Sequence, residues 1–132
     1  MAHSPAEFEG KYQEKNPISR WLVRGFYARV EELIQPLGAH RVFEVGCGLG
    51  HSTRILSPMV GGAEFSASEL EADFLAKARE RNPGTPITCE SVYDLKQGDE
   101  SVDLIIALEV LEHLTHPEKA LVEMARDRKS VV

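Results

Sequence analysis

Apolar and polar positions along this chain fall into blocks that switch between a helical and a strand period. Ile18, Trp21, Leu22, Phe26, Val30, Leu33 and Ile34 recur three or four residues apart, which predicts a helix packing through those side chains. Asn16-Pro17 supplies a cap and a first-turn proline, and Pro36 and Gly38 stop the helix. Val42, Phe43 and Val45 then form a short run of β-formers that leads into Gly46, Gly48 and Gly50. His51–Met59 continues as a helix until Pro58 and Gly61-Gly62 break the chain. Residues 63–68 read as a second strand ending at Glu69. Residues 71–81 read as a helix with Phe74, Leu75 and Ala78 inward, stopped by Asn82-Pro83-Gly84. Residues 87–89 give a short third strand. Residues 102–108 give a fourth, apolar enough to be covered on both faces. Pro117 opens a last helix that runs to about Arg128.

Strands and helices that alternate through connections too long for hairpins predict an α/β, Rossmann-like parallel sheet with helices on both faces. Residues 1–16 are largely polar, with only Phe8 and Tyr12 as possible anchors, and are expected to be a mobile start; residues 17–132 are expected to form one domain. After Arg126 the pattern shows no fifth strand. The first helix is expected to pack on the sheet, with Tyr12 or Trp21 roofing a site.

The candidate chemistry sits where the first strand meets the glycines. Strand, tight glycine turn and helix make the front half of a nucleotide-binding βαβ unit. The dinucleotide fingerprint needs a glycine at position 51, where this chain has His51. Glu44 stands two residues before Gly46, where a carboxylate can meet a cationic group. Glu69 lies 23 residues beyond Gly46, close to the interval of about 20 at which an acid meets ribose hydroxyls. A carboxylate suits that task because it accepts hydrogen bonds from both hydroxyls at once.

Composition narrows the partners. Fifteen basic against twenty-one acidic residues leave a net charge of -6, which disfavours nucleic acid and anionic membranes as partners. Cys47 and Cys89 lack the spacing of a zinc or redox pair and are expected as reduced thiols in a cytoplasmic protein. No apolar run reaches the length of a membrane span.

The run Glu44-Val45-Gly46-Cys47-Gly48-Leu49-Gly50 closely resembles motif I of the class I S-adenosylmethionine-dependent methyltransferases. Three further blocks extend the resemblance to about Arg126: Glu69 with the Phe74–Arg81 helix, the Ser91–Leu95 loop, and the stretch from Val102 through His113 to Leu121. Together they are similar to the small-molecule branch that includes ubiquinone and menaquinone methyltransferases. The resemblance implies the strand order 3-2-1-4, which leaves the fourth strand as an open edge, a liability that proteins cover; self-association of the chain through that edge is the expectation.

By position, the resemblance implies that Glu44 and the turn Gly46, Cys47, Gly48 and Gly50 surround the methionine end of the cofactor. It implies that Glu69 holds the ribose, Leu70 packs beside the adenine, and Ser91 and Val92 lie at its amino group. The family often has Asp at the place of Ser91, so this contact is expected to pass to the hydroxyl or to backbone near Val92. Leu108 and Glu109 are implied to face the sulfonium and the substrate.

The implied reaction is methyl transfer to an O, N or C nucleophile of a small molecule, leaving S-adenosylhomocysteine. Its main demand is alignment of nucleophile and methyl group. A base is needed only for a poorly acidic hydroxyl or a protonated amine, and His113 is the candidate. Three alternatives stand beside it. One is a cofactor-binding module without turnover, because the usual C-terminal half is absent. Another is a metal-assisted O-methyltransferase using Glu109, Glu112 and His113. The last is an NAD-dependent oxidoreductase, disfavoured by His51.

Overall fold

A computed structural model describes residues 16–96 and 101–131, with side chains up to Arg126. The expected mobile start falls on residues outside that range, apart from Asn16. Helix α1, Pro17–Ile34, begins where Asn16 accepts a hydrogen bond from the Ile18 N–H at 2.9 Å. It ends in a 3-10 turn, Gln35–Leu37, closed by Gly38 at φ +57°. The chain then alternates through β1 (Arg41–Glu44), α2 (His51–Met59), β2 (Glu64–Ser68), α3 (Ala72–Arg81) and β3 (Ile87–Thr88). β4 (Val102–Ile106), a 3-10 turn (Leu111–His113), α4 (Pro117–Asp127) and β5 (Arg128–Val131) complete it.

The strands form one sheet in the order β3-β2-β1-β4-β5, parallel throughout. This is the expected 3-2-1-4 arrangement with one strand more. β5 pairs with β4 through Val102↔Arg128 and Ile105↔Val131. β4 is therefore not an edge, and the expected pairing of a second copy through it finds that position taken. The ladder is made by backbone groups, which any residue supplies, so Arg128-Lys129-Ser130 carries no apolar signal of a strand.

Alternation along β1 places the two cores. Val42 joins Tyr27, Val30, Ile34 and Leu56 under α1 and α2, while Phe43 and Val45 join Ile105, Ala120 and Met124 under α4. Asp103 fixes the amino end of β1 by accepting the His40 and Arg41 N–H groups, both at 2.9 Å.

The face of α1 matches expectation at Val30 and Ile34 and departs from it elsewhere. Its buried positions are Tyr27, Val30 and Ile34, whereas Ile18, Trp21, Leu22, Phe26 and Leu33 are exposed. Two apolar stripes run along this helix, and the sheet took the one that includes Val23 and Tyr27. Spacing alone does not say which stripe a neighbour will cover.

Candidate functional site

The carboxyl ends of β1, β2 and β4 converge on the glycine turn, which three side chains from outside it hold. Gly46, Gly48 and Gly50 have φ values of +66°, +58° and +83°, a conformation that favours glycine. Arg81 donates to the Leu49 carbonyl at 2.6 Å, and the Asn82 side-chain amide donates to the Gly50 carbonyl at 2.9 Å. Both donors come from the end of α3, so the turn is clamped against that helix. Glu69 completes the grip from β2: its Oε1 accepts the Gly48 N–H at 2.9 Å, and its Oε2 accepts the Glu71 N–H at 2.9 Å.

A cleft of about 670 Å³ opens beside the turn. Gly46, Gly48, Glu69, Leu70, Ser91 and Val92 line it, together with Glu109 and His113 at its far wall. Its size falls in the range of small-molecule sites, about 300–1,000 Å³. Across the turn lies a recess of about 80 Å³, bordered by Phe26, Tyr27, Cys47 and Leu108 and sharing Gly46, Gly48 and Glu109 with the cleft. Most of the residues singled out in the sequence are thus brought to one place. A Cβ built on Gly48 meets nothing within 4 Å, so the backbone there is bare and open to an approaching ligand. Glu69, Glu71, Glu90 and Glu109 give the cleft an acidic wall, complementary to a cation.

Two expected site residues lie elsewhere. Glu44 is only 1% exposed and lines neither cavity. Its carboxyl accepts hydrogen bonds from the Ser52 hydroxyl and, at 2.6 Å, from the Thr53 hydroxyl. Burial pushes its pKa up to about 7, against the lowering pull of those two hydroxyls. Glu44 therefore ties β1 to the first turn of α2. Gly50 also lies behind the turn, facing Ala78 and Asn82. Burial likewise pushes the Cys47 thiol up to about 12, with the Glu44 and Glu69 carboxylates adding to it. The thiolate is the reactive form. Iodoacetamide at pH 8 is therefore expected to label exposed Cys89 and spare buried Cys47 in the folded chain. Peptide mapping that finds equal labelling of both overturns that expectation.

Glu109 is the one described non-glycine residue with positive φ, at +54°. Such a backbone costs about 1–3 kcal/mol and persists only where the surroundings hold it. Here it sets a carboxylate between the cleft and the recess. The three metal ligands proposed as an alternative do not converge. The segment forms a 3-10 turn, Glu112 is absent from the cleft lining, and among the described residues no cluster of three metal-ligating side chains forms.

Glu90 had no signal in the sequence. It is 4% exposed and accepts hydrogen bonds from the Thr88 hydroxyl and the Lys96 N–H, and it lines the cleft next to Ser91. A lone acid after a two-residue strand has no pattern to reveal it. Ser91 itself turns its hydroxyl to the Tyr93 N–H at 3.2 Å, closing a local turn.

Residues 43–130 match the family model described as a methyltransferase domain. The chain is 35% identical over 92 residues to a trans-aconitate 2-methyltransferase from Methylobacterium nodulans, covering 69% of this chain and 35% of that one. It is 28% identical over 104 residues to a malonyl-[acyl-carrier protein] O-methyltransferase from Anoxybacillus flavithermus, covering 77% and 39%. The crystal structure of a SAM-dependent methyltransferase from Aquifex aeolicus shares the fold, with a TM-score of 0.68 at 20% identity over 97% of this chain and 69% of that one. The curated relatives are longer proteins, of which this chain spans about two fifths or less. Among the described residues no helix is long and apolar enough to cross a membrane.

Proposed function

As this chain belongs to the methyltransferase-domain family, we propose that it binds S-adenosylmethionine in the cleft beside the glycine turn and directs its methyl group to a small-molecule acceptor. When bound, that cofactor supplies a methyl group already activated by a sulfonium charge. The observation that carries the reading is the placement of Glu69. Its carboxylate ends β2 at the cleft wall, and each oxygen has taken one backbone N–H. A carboxylate offers about four acceptor sites, so both oxygens keep a lone pair for a pair of ribose hydroxyls.

The other residues divide the work. The bare backbone at Gly48 lets a ligand lie against the turn, and the acidic wall suits a cationic one. Leu70 is an exposed apolar side chain at the cleft, placed to pack on a flat base. Among the described residues His113 is the one imidazole on the cleft wall, and it serves as the base for an acceptor that must lose a proton. An oxygen acceptor is favoured, because a relative that shares this region is named an O-methyltransferase.

Calorimetry against S-adenosylhomocysteine and NAD tests the reading. Saturable binding of the first and none of the second is expected; the opposite pattern refutes it. Glu69→Gln replaces one acceptor oxygen by a donor group. Charge-assisted hydrogen bonds contribute about 1.5–3 kcal/mol, so S-adenosylhomocysteine is expected to bind about 10- to 100-fold more weakly. The variant is also expected to lose discrimination between adenosine and its 2′,3′-dideoxy analogue, which a purely structural Glu69 would leave unchanged. A module that binds without turnover would pass the calorimetric test and transfer no label from methyl-labelled cofactor to a panel of phenols, amines and carboxylates.

A further inference from the structure

Helix α1 is longer than the sheet it packs on. Its 18 residues span about 27 Å, against about 13 Å for the four residues of β1. The two run antiparallel through a short connection, so the first turns of α1 stand past the carboxyl end of β1, where the cleft and recess open. On this overhang Ile18, Trp21, Leu22 and Phe26 are 68%, 71%, 58% and 43% exposed. Ile18, Leu22 and Phe26 repeat at i, i+4 and i+8 and form one row about 12 Å long. Trp21 stands on one flank of the row. Gly25 lies between them, and a Cβ built there meets nothing within 4 Å. A glycine in a helix interior weakens it by about 1 kcal/mol relative to alanine. No packing contact accounts for this one, and its bare backbone leaves a notch in the apolar surface.

Phe26 belongs both to this row and to the wall of the recess. The row is therefore a continuation of the site and not a separate patch. Single exposed apolar residues are ordinary on protein surfaces, whereas contiguous ones mark a place of contact. With methyl transfer as proposed above for its premise, we propose that the methyl acceptor carries an apolar chain that lies along Ile18, Leu22 and Phe26. Its reacting end passes the recess of about 80 Å³, which has room for a small group only, to reach Glu109, where the recess meets the cleft that His113 lines. The acceptor class is thus a medium-length aliphatic molecule with a polar head. An anionic membrane is disfavoured as occupant, because the net charge is -6 and the cleft beside the overhang is acidic.

The chain has a single tryptophan, Trp21, which stands beside the row and reports on it directly. Titration of the full chain with 1-octanol is expected to give a saturable blue shift of tryptophan emission, and 1-butanol at equal concentration none. Leu22→Asp is expected to weaken octanol at least tenfold. Gly25→Ala is expected to fill the notch and weaken octanol several-fold while raising the melting temperature. An emission maximum that ignores octanol overturns the proposal. So does one already blue-shifted in a concentration-dependent way, which places a second copy on the row, and so does one that moves only with phosphatidylcholine vesicles. Normal S-adenosylhomocysteine binding with an unresponsive Trp21 sinks this inference and spares the transfer reading. The reverse result leaves a seat for an apolar chain but no methyl donor, and overturns the acceptor assignment.

Discussion

Gly50→Ala is expected to lower folding stability by about 4 kcal/mol, a large fraction of the roughly 5–15 kcal/mol that holds a domain folded. Two costs combine. The backbone at Gly50 has φ +83°, and a left-handed conformation costs a non-glycine residue about 1–2 kcal/mol. The added Cβ would also lie 2.9 Å from the Ala78 Cα and 2.6 Å from the Asn82 amide nitrogen. The first is helix backbone and cannot swing aside, so α3 must shift, an overpacking cost of about 1–3 kcal/mol. Displacing Asn82 further breaks its hydrogen bond to the Gly50 carbonyl and loosens the clamp on the turn. Gly48→Ala separates the two costs. It has the same kind of backbone, at φ +58°, but nothing within 4 Å of its Cβ, and it is expected to lose only about 1–2 kcal/mol. Urea unfolding of both variants measures the difference. Equal losses would mean that the turn is not clamped by α3.

The buried acid at the end of β1 sets the second expectation. Glu44 is protonated in the folded chain up to about pH 7 but ionises near 4.5 when unfolded. Below the lower value both states hold the proton, and no stability is lost. As pH rises from 4.5 to about 7 the unfolded state releases its proton first. Folding stability then falls by about 1.4 kcal/mol per pH unit, about 3 kcal/mol in all, and the loss remains above pH 7. Glu44→Gln removes the titration while keeping shape. The amide oxygen still accepts from one hydroxyl, and the amide nitrogen donates to the other once that hydroxyl rotates. The variant is therefore expected to gain about 3 kcal/mol over the natural chain between pH 4 and pH 8. Denaturant unfolding at both pH values reads the gain. A stability difference that does not change with pH would show that Glu44 is ionised in the fold.

Position 44 also illustrates how a motif can mark a residue without revealing its surroundings. The acid two residues before the first glycine marks the motif, and the resemblance put it at the ligand. Strand alternation turns it the other way, into the layer beneath α2, where Ser52 and Thr53 meet it. Nothing local in Glu-Val-Gly-Cys-Gly reports those two hydroxyls. Glu69 fared differently. It stands one residue beyond the end of its strand and lines the cleft.

The alternating strands and crossover helices and the place of the glycine turn were legible because they rest on local periodicity and on glycine, which act within a few residues; the sheet order came from the family resemblance. The face that α1 presents to the sheet was only partly legible, since two apolar stripes satisfy the same spacing and only the packing of the neighbouring layers selects between them. β5 was not legible, because its pairing is a property of backbone beside an open edge and leaves no mark on side-chain pattern. The same division holds at the site. Residue types and intervals name the candidates, but whether a carboxyl faces a cavity or a hydroxyl depends on which surfaces the packed layers leave open, and that is a property of the whole fold.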